Sequence, residues 1–548
     1  MKSNSTISKA QTTSPKNPLS IYKNAFTNNV LKKVFLIIGI LVLLFFIVLI
    51  RTVGLFNNNA LFIFDGARDF LWVKTIVVDH KSILIGPSSG GLQGFFQGVL
   101  WYYMLAVPFA LSGGDPISGT WFMAIMSTFS VLATFFILKK IMNIYAAFLG
   151  MILLGFGSYS VATTKFIWNP YPIVWLMPFY FWGIYLISKK SKWGLYLLSI
   201  AQGLFLHFEV IYGLGILPAY IFILLFYLKR SKKVTIGIKH IIIALILFAL
   251  PMLPSFAFDL RHHFLISKSI LATIHTGGNN ITHKSGDVPN SMGKRVQLRF
   301  DDLITYSFQS LTTNIYMNYF ILILLLLGIY MIFKKKVDSE LPTTILLTTT
   351  VIISPFLVFL LLKYSVWGYY WIGDAPLYAM LVAFCLGYWL KVYNKPLLFI
   401  ILALLLFIIA NPFSVLPYWY KGNLPEAPST FSTQLQVIKT IYQDAHGQPF
   451  SVYEQTPPVY DYVYRYLLWW QGSTVYKYIP SDTKQKIVYV VLEDVPADPN
   501  AIYFTKNTLH LTTKPVETIH FGAYPIVEKF ITKKNEQPVD PNYFPPTQ

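Results

Sequence analysis

The chain has 548 residues, 55% of them hydrophobic and only 12% charged, against roughly 25% charged residues in an ordinary soluble domain. Together with a mean hydropathy of +0.52, this excludes a soluble globular protein and describes a chain that crosses a membrane many times. A formal net charge of +20 does not mark a nucleic-acid binder, because the basic residues lie between apolar segments and not on one soluble face beside base-reading groups.

Residues 1–33 form a polar, basic tail. The run 34–50, VFLIIGILVLLFFIVLI, is long enough to span and has no small-residue cleavage pattern behind it, so it reads as an uncleaved first transmembrane helix. The loop 51–118 then carries FDGARDFLWVKTIVVDH (64–80). Phe70, Trp72, Val73, Ile76 and Val77 share a helical face, with Arg68, Asp69, Lys74 and Asp79 mainly elsewhere, as in a helix lying at the membrane interface. Asp65 sits where an N-cap would, and Arg68 and Asp69 then read as a solvated face. The stretch 98–112 is short and aromatic and contains Pro108. Further apolar runs near 119–138, 143–162, 170–188, 193–208, 210–228, 240–258, 313–333, 342–362, 374–390 and 396–416 bring the spans to about eleven. The single cysteine, Cys385, lies in one of them, so no intrachain disulfide forms and the redox compartment stays open.

Short cytoplasmic loops collect Lys and Arg, which settles how 98–112 is read. If it does not cross, the N-terminal tail, Lys139/Lys140, Lys189/Lys190/Lys192, the 229–239 loop, Lys334 to Lys336 and Lys391/Lys395 all share one side, against only Asp338 and Glu340. The stretch is therefore expected to be interfacial or re-entrant, with the N-terminus cytoplasmic. The external loops 51–118 and 259–312 and the region from 417 onward are expected on the opposite face. From 417 to 548 the pattern turns soluble, with amphipathic helices at 429–445 and 457–470 and strands at 487–494 and 501–505, enough for a small α/β domain. The expected division is a tail (1–33), a transmembrane domain (34–416) and an extracytoplasmic α/β domain (417–548).

Several external residues admit both a structural and a chemical reading. Asp65 at the bilayer surface can accept a proton from an acceptor hydroxyl while Arg68 neutralises a phosphate. In TTKFIWNPYP, Trp168 and Asn169 belong to a rigid, aromatic interfacial turn, yet Lys165 is a rare external lysine suited to phosphate and Trp168 to a sugar face. In HFE, His207 and Glu209 form either a buried hydrogen-bonded pair or a substrate contact. In FDLRHHF (258–264), Asp259 and Arg261 read as an interfacial ion pair; the alternative gives Arg261 and His262 to a departing phosphate. Neighbouring His262 and His263 lack metal-ligand spacing. The aromatic VWGYYWIGD, with Tyr370, is either an interfacial belt or a sugar platform.

The motif D-x-A-R opening the first external loop, followed by the GPSSGGLQGFFQGVLWYY segment, FIWNPYP between two helices, LFLHF at a helix end and LPSFAFDLRHHF before a long loop, resembles the GT-C class of membrane glycosyltransferases. The likeness is to the group containing protein O-mannosyltransferases and the aminoarabinose transferase of lipid A, and it covers most of residues 60–390. It implies a GT-C-like fold and a polyprenyl-phosphate-linked sugar donor, with no cofactor and no metal. Asp65 then matches the catalytic aspartate, and Arg68 the arginine near the donor phosphate. Two departures stand out. Gly66 replaces a residue that is often acidic, and FFQGVLWYY replaces a Lys-Pro-Pro or His-Gly-Pro segment, so that Gln97 there can hydrogen-bond but not titrate. Tyr102 and Asp69 join Gln97, Trp168, Asn169, His207 and Tyr370 as candidate substrate contacts, with Arg261, Lys165 and His262 as phosphate candidates.

The chain contains no P-loop, no Rossmann fingerprint and no nucleophile elbow, which leaves a cytosolic nucleotide donor without a recognisable site. The expected activity is transfer of a sugar from a lipid-linked donor to an acceptor on protein, lipid or cell-wall glycan, with membrane lipid as the surroundings. The competing reading is a transporter or a lipid-linked oligosaccharide flippase or polymerase; the spans carry almost no charge at their centres and show no duplication, which disfavours transport.

Overall fold

The computed structural model describes residues 18–89, 94–230, 238–276, 291–334, 339–362, 366–393, 396–409, 430–455, 461–493, 499–522, 524–533, 537–540 and 543. Half of the N-terminal tail, most of the 229–239 loop, Lys335, Lys336, Asp338, Lys395 and the boundary expected at 416/417 lie outside them. The chain divides into two units, Met1–Leu49 and Ile50–Gln548.

Helix α1 (Pro18–Thr52) runs 35 residues through the first apolar stretch. Among the described residues, seven helical segments are long and apolar enough to cross a membrane. They are the Leu36–Asn57 part around α1, α4 (Pro116–Ile141), α9 (Val210–Arg230), the continuous stretch Ile238–Arg261, α14 (Ile315–Lys334), α15 (Glu340–Phe359) and Gly368–Tyr393, whose regular part is α16 (Asp374–Tyr393). The shorter apolar helices α3 (Leu100–Ser112), α5 (Ile144–Phe156), α7 (Pro172–Ser188) and α17 (Pro396–Ile409), with α8 (Lys192–Phe208), join the bundle.

Two apolar runs are less regular than their sequence suggests. The run 143–162 breaks at Gly157 into α5 and α6 (Ser158–Ala162), and a Cβ on Gly157 would stand 2.4 Å from the Leu153 carbonyl oxygen. Pro251 sits in a tight turn, Leu250–Met252, that separates α10 (Ile238–Ala249) from α11 (Leu253–Arg261), because proline cannot donate the next helical hydrogen bond. Helix α3, the 98–112 stretch, has 13 residues. At 1.5 Å per residue that is about 20 Å, short of a hydrocarbon core of roughly 30 Å.

Between α1 and α4 the chain builds helix α2 (Phe64–Val77), a short antiparallel pair β1 (Ile85–Ser88) and β2 (Phe96–Gly98), and α3. Asp115 caps α4, accepting from the Ile117 N–H at 3.0 Å, with Pro116 in the first turn where a missing N–H costs nothing. The long loop after α11 carries α12 (Leu265–Thr276) and α13 (Met292–Leu303).

The C-terminal region holds a four-stranded sheet of order β3-β4-β6-β5, formed by Phe450–Gln455, Ile487–Leu492, Ile526–Ile531 and Glu517–His520. Its central strand β4, IVYVVL, is buried along its whole length and pairs parallel with β3 and antiparallel with β6. Residues 501–505, expected as a strand, are helical instead: α20 (Pro499–Tyr503) runs into a π-turn, and Ala501 and Phe504 pack into the sheet's apolar cluster. Helices α18 (Phe431–Asp444) and α19 (Tyr462–Gln471) turn towards the 51–118 loop. The Phe431 N–H donates to Ala60 O at 2.9 Å, Gln434 Nε2 donates to Phe62 O at 2.9 Å, and Trp470 Nε1 donates to Gly113 O at 3.1 Å. The rings of Tyr462 and Tyr466 pack on Phe64 and Phe70 of α2. The C-terminal region is thereby fastened to the helix that carries the acid–arginine turn.

Candidate functional site

The site begins in the first turn of α2. Ile63, not Asp65, occupies the N-cap position, and no side chain caps this helix. Asp65 instead faces Arg68 one turn on, with Nη1 to Oδ1 at 2.8 Å. Asp69 also departs from the solvated face expected of it. It is fully buried, accepting from Arg68 Nη2 at 2.8 Å and Nε at 2.9 Å on one oxygen and from Trp101 Nε1 at 2.7 Å on the other. Two carboxylates thus share one guanidinium, and only Asp65, 30% exposed against 0% for Asp69, is open to a reactant.

Burial lifts the Asp69 carboxyl to about 6, against the opposing pull of Arg68. Burial also works against the charge on Arg68, but the carboxylates of Asp69 and Asp65 outweigh it and hold the guanidinium proton more tightly than usual. A guanidinium has five N–H donors. Three are engaged by the aspartates, so Arg68 fixes Asp65 and keeps limited capacity for an anion. Buried Tyr102 lies within electrostatic reach of Arg68 and stacks on Trp72, with ring centroids 6.4 Å apart.

A second cluster lies where α8 stops and α9 starts. Glu209 occupies the break, and its buried carboxylate accepts from Gln97 Nε2 at 3.3 Å, while Gln97 Oε1 accepts from the Val210 N–H at 3.0 Å. Gln97 therefore joins β2 to the helix break. His207 Nε2 accepts from the Leu100 N–H at 2.8 Å, and Asn169 Nδ2 donates to Phe208 O at 2.9 Å. His207 and Asn169 thus each tie a loop to the break. Gly98 is required here, because a Cβ at that position would stand 2.0 Å from the His207 ring. Burial raises the Glu209 carboxyl to about 8, against the stabilising bonds from the Ile211 N–H and Gln97.

Aromatic rings link the two clusters. Trp168 packs edge-on to Tyr369 at 4.8 Å and to Tyr171 at 5.3 Å, and Tyr369 packs on Tyr370 at 4.5 Å. Tyr369 is within electrostatic reach of both Glu209 and Asp65, and Tyr171 within reach of Asp65. Trp168 and Tyr370 therefore border the same region as Asp65, Gln97 and Glu209.

The expected phosphate ligands are more dispersed. Lys165 Nζ donates to Ile50 O at 3.1 Å, and burial together with the neighbouring Arg51 charge lowers its ammonium to about 8. Its side chain makes no hydrogen bond to the acid–arginine turn. Arg261 and His262 are exposed, and His262 stacks on Phe258, whose ring meets Phe96 beside Gln97. Arg261 makes no ion pair among the described residues. Asp259 does not pair with it; that carboxylate caps α12, accepting from the Ile266 N–H at 2.7 Å and from Ser267 Oγ at 2.5 Å. Among the described residues no group of three or more His, Cys, Asp or Glu is placed to hold a metal ion.

Three features had no place in the sequence reading. Arg51 is fully buried and donates to the Gly155 and Leu154 carbonyls at the end of α5 and to Ser127 Oγ and Ser160 Oγ. The cation thus neutralises the negative end of that helix; its one signal in the sequence is an arginine closing the first apolar run. Trp101 is the second partner of Asp69, and nothing in the spacing of the two predicts it. The buried Asp374 accepts from Ser307 Oγ at 2.9 Å; it closes the WIGD stretch, whose aromatic rings are what stand out in the sequence.

A bundle of apolar helices carries an acid–arginine turn at the head of α2, with an α/β region fastened to that helix, and this architecture is GT-C-like in fold. The solved structure of ArnT from Cupriavidus metallidurans bound to undecaprenyl phosphate is similar over 90% of this chain and 98% of that one, at 10% identity and a TM-score of 0.54. The same protein in the apo state is similar over 91% of this chain and 98% of that one, at 10% identity and a TM-score of 0.52. No protein-family model and no curated protein sequence matches the chain.

Proposed function

We propose that the protein is an inverting glycosyltransferase that moves a sugar from a polyprenyl-phosphate donor to an acceptor on protein, lipid or cell-wall glycan at the outer membrane face. The observation that carries this reading is the partly open Asp65 carboxylate, held at 2.8 Å by Arg68, at the head of α2 in this fold. An undecaprenyl phosphate bound to a protein of similar fold supports the donor class.

Asp65 takes the acceptor hydroxyl proton as its oxygen bonds to the anomeric carbon, and the bond from that carbon to the phosphate oxygen breaks with its electron pair. Fixed cations then stabilise the departing phosphate, the largest contribution at a site next to low-dielectric lipid. The remaining N–H groups of Arg68 and the exposed guanidinium of Arg261 serve this role, with His262 and Lys165 as further candidates and no metal drawn into the step. Trp168 and Tyr370 offer ring faces to the sugar; Gln97, Asn169, His207, Tyr102 and Asp69 hold the walls. In the proposed topology about eleven helices cross, α3 lies in the interface, the lysine-rich loops and the N-terminus are cytoplasmic, and residues 417–548 are extracytoplasmic.

The test is incubation of the purified protein with radiolabelled polyprenyl-phosphate sugars and an extract of acceptors. Transfer by the native chain and its loss in Asp65→Asn support the proposal. No turnover with any such donor overturns it.

A further inference from the structure

At the end of the bundle remote from Asp65, the helices leave two apolar clefts on either side of one lysine. Helix α4 begins at Pro116, near the Gly113 whose carbonyl accepts from Trp470, and its last turn carries Lys139 and Lys140. One cleft, of about 340 Å³, runs along α4 past Phe129, Ala133 and Phe136, with Phe179 of α7 opposite. The other, of about 540 Å³, lies between α7, α8 and α10 and is walled by Leu186, Trp193, Tyr196, Ile200 and Leu247. Lys140 and Trp182 line both clefts, and the Lys140 ammonium stands 5.0 Å from the Trp182 ring centroid.

The walls are almost wholly apolar, while the mouth is basic. Lys139, Lys140, Lys190 and Lys192 are exposed there, and His240, hydrogen-bonded to Tyr196, lies within electrostatic reach of Lys192 and Lys239. Among the described residues the acid nearby is Glu340, which is paired with Lys189 at 3.4 Å. Trp182, Trp193 and Tyr196 are the ring types that settle at the headgroup level of a bilayer. From Lys140 to Phe129 the α4 cleft extends about 16 Å at 1.5 Å per residue, roughly half of a 30 Å hydrocarbon core and so the depth of one leaflet.

We propose that the two clefts hold one anionic diacyl phospholipid, an acyl chain in each and the phosphate at Lys140. Two apolar clefts that share Lys140 fit one lipid with two chains. Membrane lipid of any kind would cover an apolar face; a shared cation among further lysines selects a negative headgroup. This site is independent of the transferase reading and does not involve Asp65.

The full chain is purified into bilayer discs of phosphatidylcholine, either alone or with a minor fraction of phosphatidylglycerol, and the lipids retained on each molecule are counted by native mass spectrometry. One phosphatidylglycerol is expected per chain, held in preference to phosphatidylcholine. Lys140→Gln is expected to weaken retention about fivefold, and Ala133→Trp, which fills one cleft, to abolish it. Lys229→Gln, at the end of α9 and outside both clefts, is expected to retain the lipid. If Ala133→Trp does not fold, the comparison of Lys140→Gln with Lys229→Gln decides the matter. Equal retention of the two lipids, retention unaffected by Lys140→Gln, or a second protein chain in place of lipid would overturn the proposal.

Discussion

Glu209 offers the sharpest physical test of the site, because its carboxyl is buried with one amide and one backbone N–H as partners and no cation among its bonded groups. In the folded protein it binds its proton up to about pH 8, against 4.5 in the unfolded chain. Below pH 4.5 both states are protonated and the residue exacts no penalty. As pH rises from 4.5 to about 8 the unfolded chain ionises while the folded chain does not, so stability falls by about 1.4 kcal/mol per pH unit. The total is about 5 kcal/mol, complete above pH 8. Glu209→Gln keeps an acceptor for the Ile211 N–H and removes the ionisation. Thermal midpoints of the two purified proteins should therefore coincide near pH 5 and diverge towards pH 9, with the glutamine variant the more stable. Parallel curves across that range would show that Glu209 is ionised and solvated in the folded protein, and the reasoning about its burial would fail.

Three other outcomes follow from the contacts of the site. Asp69→Ala leaves the part-buried Arg68 with one carboxylate partner instead of two and the Trp101 indole N–H with none, and should lower stability by about 3–5 kcal/mol in denaturant titration, whereas Asp65→Asn, at a 30% exposed position, should leave it nearly unchanged. Trp101→Phe removes the 2.7 Å bond to Asp69 and opens a cavity where the fully buried indole stood; it should cost about 2–5 kcal/mol. Gly98→Ala drives a Cβ to 2.0 Å from the His207 ring, and should cost about 1–3 kcal/mol as β2 shifts, a loss that His207→Ala made in the same chain should largely relieve.

The parts legible in the sequence are those carried by local pattern. The apolar runs marked most helices, and the DGAR turn announced a carboxylate beside an arginine, because residues three apart meet on one helix face. What escaped depended on partners far away in the chain. Asp69 looks solvated from its own helix, yet it is buried and bonds Trp101, 32 residues on. Gln97 meets Glu209 across 112 residues, and Arg51 meets Gly155 across 104. The same limit explains Asp259, whose neighbour Arg261 suggested an ion pair although the carboxylate turns to the backbone of the next helix. In the C-terminal region, the alternation at 501–505 resembled a strand, but a helical turn buries Ala501 and Phe504 equally well.

The most direct measurement of the central claim is the release of polyprenyl phosphate from a radiolabelled polyprenyl-phosphate sugar in a single turnover with purified protein and acceptor extract, comparing the native chain with Asp65→Asn at matched folding. The account predicts release coupled one to one with glycosylated acceptor in the native protein and none above background in the variant. Equal release from both proteins would contradict it.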